Sequence, residues 1–126
     1  MTLFEYLILA HILGDWLLQT EWQAVNKRTS WAALLTHVVI YHALVLAAFI
    51  YQEGTDRPIV YAAVGVLAVT HALLDRFTVA PLMRALRLVV KREPDRALLL
   101  GVDQAIHILL LGIAAFVVWK TRVAGM

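Results

Sequence analysis

Residues 11–20 read HILGDWLLQT and place His11 and Asp15 four positions apart, inside an apolar run that starts at Thr2. Residues at this spacing share one face of an α-helix, one turn from each other. Burying a histidine and a carboxylate in apolar surroundings is costly unless both have partners. The fold therefore has to supply partners for this pair.

The composition indicates a membrane protein. Of 126 residues, 62% are hydrophobic and 16% are charged, whereas soluble domains are about half apolar and about a quarter charged. The chain contains no cysteine, which excludes disulfides and thiolate metal sites. It has no Gly-rich phosphate loop and no free basic patch, so we expect neither nucleotide nor nucleic-acid binding. The first apolar run lacks signal-peptide features, and we expect the mature protein to keep it.

Four apolar stretches approach the ~20 residues that a membrane-spanning helix needs. They cover about residues 2–20, 31–51, 58–77 and 97–119. The stretch at about 80–92 predicts a basic amphipathic helix on the membrane surface, a solvated connecting helix being the alternative. The sequence thus predicts an all-α integral membrane four-helix bundle, with residues 1–126 forming a single transmembrane domain.

Lysine and arginine are distributed unevenly between the predicted loops. Eight follow the first and third spans, and three lie on the opposite side. Because cytoplasmic loops are enriched in these residues, we expect both of the richer loops in the cytoplasm and both termini outside.

The spacing of residues 11 and 15 recurs in two further spans. THALLD (70–75) carries His71 and Asp75, and DQAIH (103–107) carries Asp103 and His107 in reverse order. The fourth span runs opposite to the first and third, so the reversal keeps each histidine deeper than its aspartate. With His37 of the second span, all these groups are predicted to lie in one slab of the cytoplasmic half.

Three aspartates at this depth need neutralisation, because each costs roughly 2.5–3.5 kcal/mol near the centre of a membrane helix. No lysine or arginine lies within the spans at that depth, which leaves histidinium, protons or a bound cation. Imidazole and carboxylate together suit Zn²⁺, Fe or Mn²⁺ better than Ca²⁺ or Mg²⁺. We expect one or two divalent ions, most simply zinc, and charge balance against three carboxylates favours two.

The proposed metal ligands share buried helical positions at this depth: His11, Asp15, His37, His71, Asp75, Asp103 and His107. The residues expected to support them by hydrogen bonds are Gln19, Tyr41 and Gln104. Asp15, Asp75 and Asp103 are the candidate catalytic groups. His42 points about 140° away from His37 and is interpreted as a packing histidine. A metal-free network of histidine–aspartate hydrogen bonds is the alternative to the metal site.

The segment HILGDWLLQTEWQAVNK (11–27), a mid-helix His37, THALLD and DQAIH resemble an uncharacterised family of small bacterial multi-pass inner-membrane proteins, a domain of unknown function. This resemblance implies a location in the bacterial inner membrane and brings no activity. The helix pairs are more loosely similar to membrane-bound metal-dependent hydrolases, although those proteins tend to use HxxxH pairs where this chain has HxxxD.

Three functions fit these features. The first is a metal-dependent hydrolase that acts on a lipid or lipid-linked (phospho)ester at the cytoplasmic side, where the ions activate water and bind a substrate oxygen. The second is a metal-ion or proton transporter or sensor, which with four spans requires a homo-oligomer. The third is a metal-clamped scaffold for a partner protein. Expected partners are membrane lipids and a lipid-like substrate, and whether the chain is an enzyme stays open at this level.

Overall fold

Short polar signals set where the helices of this chain begin and end. Thr2 and Glu5 form a capping box before the first helix, and Ser30 and Asp95 accept hydrogen bonds from the first turns of two long helices. Pro58 occupies the first turn of another helix, where its missing N–H is not needed. Gly54 ends the preceding helix with a φ of 79°, a conformation that favours glycine.

The computed structural model describes residues 1–126, and every regular element in it is helical. The elements are α1 (Leu3–Ile12), a π-helical segment (Leu13–Leu17), α2 (Glu21–Asn26), α3 (Trp31–Glu53), α4 (Pro58–Phe77), α5 (Val79–Val90) and α6 (Arg96–Val123). The predicted all-α class is confirmed, and α3, α4 and α6 are long and apolar enough to cross a membrane. Helix α5 lies at the position of the predicted amphipathic helix.

The expectation of four membrane-length helices is wrong for the first stretch. Helix α1 has 10 residues and the π-helical segment has 5, so together they rise at most about 22 Å, against ~30 Å of hydrocarbon. The chain then leaves the helical path at Leu18, and Thr20 caps α2. The apolar count over residues 2–20 could not reveal this break, because a count over the whole stretch does not register where a helix ends within it.

Helices α1, α3, α4 and α6 form a ring in which neighbours in space run in opposite directions. Helix α3 packs against α1 and α4, and α6 closes the ring by packing against the same two helices. Helix α2 folds back onto α3, and α5 lies against α4 and α6. The two helices outside the ring, α2 and α5, therefore lie at the same end of the bundle.

The interior is divided into an apolar half and a polar half. The apolar half is filled by side chains such as Leu7, Val45, Phe49, Val60 and Val118, all fully buried. At the end of the bundle away from α2 and α5, the carboxylate of Glu53 pairs with the guanidinium groups of Arg57 and Arg122. The polar half lies at the end with α2 and α5.

The π-helical segment brings its backbone directly against α3, and this approach depends on a glycine. A Cβ on Gly14 would lie 2.6 Å from Cδ2 and 3.3 Å from Cα of Tyr41. The wider turn of the segment is closed by a bond from Leu18 N to Leu13 O, at 2.8 Å. Asp15, inside this segment, is thereby held against α3.

We expect Gly14→Ala to lower the free energy of unfolding by about 1–3 kcal/mol, because the added methyl group overpacks the contact with α3. The matched control is Gly65→Ala, which places its Cβ in open space on α4 and should stabilise the helix by about 0.5–1 kcal/mol. Thermal unfolding in one detergent measures both. Equal stability of Gly14→Ala and the parent chain would show that the close contact between the backbone at residue 14 and Tyr41 does not require glycine.

Candidate metal centre

The seven side chains proposed as metal ligands all lie at the end of the bundle with α2 and α5, and six of them are buried. Each ring helix contributes from the part that reaches this end: the C-terminal end of α1 with its π-helical segment, the N-terminal half of α3, the C-terminal end of α4 and the N-terminal half of α6. The exception to burial is Asp103, whose side chain is 25% exposed. The antiparallel ring thus gathers residues that are up to 96 positions apart in the chain.

Asp15 is the acceptor on the α1 side of the centre. Its Oδ1 lies 3.1 Å from Nε2 of His37 and 3.8 Å from Nε2 of His71. Its Oδ2 lies 3.4 Å from Nε2 of Gln104 and 3.7 Å from Nδ1 of His11. One carboxylate therefore reaches groups on four other helical elements, α1, α3, α4 and α6.

Asp75 is the second buried acceptor, on α4. Its Oδ2 lies 3.2 Å from Nε2 of His71 and 3.4 Å from Nε2 of His37. Its Oδ1 lies 3.7 Å from Nε2 of His107. The two aspartates thus face each other across His37 and His71.

A lysine that the sequence did not single out enters this centre. The ammonium group of Lys27 lies 2.9 Å from Oδ2 of Asp75, and its side chain is only 15% exposed. Lys27 caps the C-terminus of α2, and α2 is held to α3 by the buried Gln23, whose Nε2 donates to Thr36 Oγ1 at 3.2 Å. Lys27 lies outside the predicted spans, so the expectation that only histidinium, protons or a bound cation could neutralise the aspartates is wrong for Asp75.

Local hydrogen bonds orient two histidine rings. Nδ1 of His107 donates to the carbonyl oxygen of Asp103 at 2.8 Å, and its Nε2 lies 3.7 Å from Oδ1 of Asp75. Nδ1 of His42 donates in the same way to the carbonyl oxygen of Val38. Anchoring one ring nitrogen on a carbonyl is how proteins commonly fix a metal-binding histidine.

His11 differs from the other histidines because both of its ring nitrogens are engaged. Its Nε2 donates to Oε1 of Gln104 at 2.8 Å, and its Nδ1 accepts from the hydroxyl group of Tyr41 at 2.9 Å. The indole nitrogen of Trp16 donates to the same Gln104 oxygen at 3.1 Å. Tyr41 and Gln104 thus form hydrogen bonds to a histidine ring, as predicted. Because both nitrogens of His11 are used in this way, His11 supports the centre by hydrogen bonds and is not positioned as a metal ligand.

Asp103 and Gln19 lie at the edge of the centre. Oδ2 of Asp103 is 3.8 Å from Nδ1 of His107 and 3.4 Å from Nε2 of Gln104. Gln19 donates to the carbonyl oxygen of Asp15 at 3.1 Å and so supports the backbone that carries this carboxylate.

Two groups of three ligand atoms lie within 4.8 Å of one another, which is close enough for one metal ion to bridge each group. Asp15, His71 and His107 form one group, and His37, His71 and Asp75 form the other. His71 belongs to both. The buried His/Asp groups could therefore hold a metal ion, and five residues contribute to the two groups together.

Six polar atoms in these two groups are buried without any hydrogen bond. Two of them are Oδ2 of Asp75, which lies 2.9 Å from the ammonium group of Lys27, and Nδ1 of His71. The other four are Oδ1 of Asp15 and the Nε2 atoms of His37, His71 and His107, and each lies at ion-pair distance from an imidazole or carboxylate group without being aligned for a hydrogen bond. Unsatisfied buried polar atoms are rare in folded proteins and costly. A cation bound by one of these groups would provide a partner for the unpaired ligand atoms of that group.

A cleft of about 370 Å³ connects the centre to the surface between α2, α4 and α6. Its lining includes the carboxylates of Asp15, Asp75 and Asp103, and also basic side chains from Lys27, Arg28 and Arg96. The cleft thus offers acceptors on its floor and three cations around them, a distribution suited to an anionic ligand next to a metal ion.

Comparisons with known proteins identify a family but no activity. A family model described as "Protein of unknown function (DUF3307)" matches residues 3–125. No curated protein and no solved structure matches the chain. Since the matched range covers nearly all 126 residues, the chain belongs to the DUF3307 family of proteins of unknown function.

Proposed function

We propose that the protein is an inner-membrane protein of bacteria that holds one divalent transition-metal ion in its polar half, and that it is a hydrolase for a lipid-linked ester or phosphoester at the cytoplasmic side. The observation that carries the proposal is the set of four buried ligand atoms without hydrogen bonds. Hydrogen bonding within a metal-free network would leave at least some of these atoms aligned with a donor.

Charge balance favours one ion over two. The carboxylates of Asp15, Asp75 and Asp103 contribute −3, and the ammonium group of Lys27 contributes +1. The sum is −2, which one divalent ion neutralises. The two-ion preference of the sequence analysis rested on the absence of a cation at this depth, and Lys27 removes that reason.

The residues that would hold the ion are those whose ligand atoms converge: Asp15, His37, His71, Asp75 and His107. Nitrogen and oxygen ligands of this kind suit zinc, and iron or manganese equally by ligand type. When bound, such an ion acts as a Lewis acid that polarises an ester or phosphoryl oxygen.

The membrane location is supported by α3, α4 and α6, each long and apolar enough to span a bilayer. The shorter α1 ends where the cleft opens, so the polar half lies within reach of water. Eight of the eleven lysines and arginines lie on this side, which supports a cytoplasmic position for the cleft, with the two termini outside.

Side chains of the cleft supply the remaining chemistry. Lys27, Arg28 and Arg96 would bind an anionic group of the substrate. Asp103 is the carboxylate with access to both the cleft and water, and it would take the proton of the attacking water and return it to the leaving alcohol. General base catalysis of this kind contributes about 10²–10⁴-fold.

The metal centre is tested by elemental analysis of the protein purified in detergent. We expect one zinc, iron or manganese ion per chain, and a loss of that ion in His71→Ala and in Asp75→Asn. The matched control is His42→Ala, which removes a buried histidine outside both ligand groups and should keep the ion. Folded parent protein without a transition metal, or equal loss in the control, would contradict the metal centre.

Lys27→Met separates a metal centre from a metal-free network. Removing the ammonium group leaves Asp75 buried and short of a partner, which costs about 3–5 kcal/mol in a metal-free protein. We expect added Zn²⁺ to raise the melting temperature of Lys27→Met more than that of the parent chain, because the ion replaces the lost charge. Lys91→Met, at an exposed lysine without a carboxylate partner, should respond like the parent. Failure of Zn²⁺ to rescue Lys27→Met would favour the metal-free network.

Asp103→Asn tests the hydrolase. With phosphatidylglycerol vesicles as the probe, we expect the parent chain to release a water-soluble phosphate ester or free fatty acid. Asp103→Asn should reduce this release by at least about 100-fold at unchanged metal content. Release that is unaffected by Asp103→Asn would exclude this residue as the base. Metal-loaded parent protein that releases neither product would overturn the hydrolase proposal for phospholipids and favour the metal-clamped scaffold.

A further inference from the structure

Four arginines line a groove on the outer side of α4 and α5, beside the cleft. The groove has a volume of about 660 Å³, and its lining includes Arg28, Arg76, Arg84 and Arg87 together with Phe77 and Met83. No carboxylate contributes to it. We infer that this groove binds the phosphate of an anionic phospholipid headgroup.

Arg76 is held in place for this role. Its guanidinium carbon lies 4.1 Å from the centre of the Trp31 ring, a cation–π arrangement that orients the group without neutralising it. Its Nη1 is buried and has no hydrogen-bond partner. A phosphate oxygen is the kind of acceptor that a planar guanidinium group binds best.

The other three arginines of the groove can each pair with a phosphate group. Arg28 and Arg84 form no ion pair with a carboxylate, whereas Arg87 pairs with Glu93 at 2.8 Å. Both members of that pair are largely exposed, and exposed pairs contribute little stability. Arg87 can therefore exchange Glu93 for a phosphate at low cost.

The apolar wall of the groove favours a lipid over a soluble phosphate. Phe77 is 58% exposed at the groove, and on the same amphipathic α5 Leu88 and Val89 are about 80% exposed. Exposed aromatic and aliphatic side chains next to arginines are typical of a helix lying at the boundary between headgroups and acyl chains. A free phosphate ion would gain nothing from this wall, whereas the acyl chains of a lipid would cover it.

This inference uses the membrane location proposed above but does not depend on the metal ion. Arg28 and Val79 line both the groove and the cleft, so a bound lipid would lie directly beside the entrance to the polar half. The groove would therefore position anionic lipid next to the centre, whatever chemistry the centre performs.

Native mass spectrometry of delipidated protein with phosphatidylglycerol or phosphatidylcholine tests the inference. We expect preferential retention of phosphatidylglycerol by the parent chain, and each arginine replaced by glutamine should weaken it by about fivefold. Arg76→Gln with Arg84→Gln should thus lose about 25-fold. Arg28→Gln with Arg84→Gln should lose as much, and it leaves the stacking of Arg76 on Trp31 intact.

The matched control is Lys91→Gln with Arg92→Gln, which removes the same charge at the same end of the molecule but outside the groove. This variant should bind phosphatidylglycerol within about twofold of the parent, given the short range of screened surface charges. Chelator-treated parent protein should bind it equally well, which separates this inference from the metal centre. An equal loss in the control, equal retention of both lipids, or full displacement by millimolar inorganic phosphate would overturn the lipid site.

Discussion

Two carboxylates, those of Asp15 and Asp75, lie buried between four helices, and the arrangement around them follows from the need to supply positive charge. The lysine from α2 reaches only Asp75, at 2.9 Å. Asp15 is surrounded by histidine and glutamine side chains, among which its Oδ1 forms no hydrogen bond. At the other end of the bundle, one carboxylate of Glu53 meets two arginines. Asp15 thus has no lysine or arginine at ion-pair distance, whereas Glu53 has two, and this contrast supports the proposed cation.

The fold serves this polar half in two ways. The antiparallel ring brings i, i+4 pairs from α1, α4 and α6 to one end, and the π-helical segment presses Asp15 against α3. π-helical turns are frequent at functional sites, and here Gly14 makes the close approach possible. Helix α2 then folds over the opening and carries Lys27 to Asp75. The path of the backbone in the π-helical segment and in α2 thus positions Asp15 and Lys27 in the centre.

The sequence predicted those features that depend on local spacing. The His–Asp pairs lie one turn apart on their helices, and the three long helices begin within one residue of the apolar stretches predicted at 31–51, 58–77 and 97–119. Tertiary contacts could not be predicted in this way. The break after Leu17 has a local signal in the capping box of Thr20 and Gln23, whereas the position of Lys27 depends on α2 folding back. A signal for that lysine did exist, because the two buried carboxylates of Asp15 and Asp75 require positive charge and Lys27 is the first lysine or arginine after α1. His11 was predicted as a metal ligand, but the orientation of its ring leads to hydrogen bonds with Tyr41 and Gln104. The spacing of residues along a helix does not determine ring orientation.

Anomalous X-ray diffraction at the absorption edge of the bound metal tests the central claim most directly. The account predicts one peak per chain, enclosed by the ligand atoms of Asp15, His37, His71, Asp75 and His107, with Lys27 still paired to Asp75. A structure without an anomalous peak at this position, in which the same four orphaned atoms are joined by ordinary hydrogen bonds or by water, would contradict it.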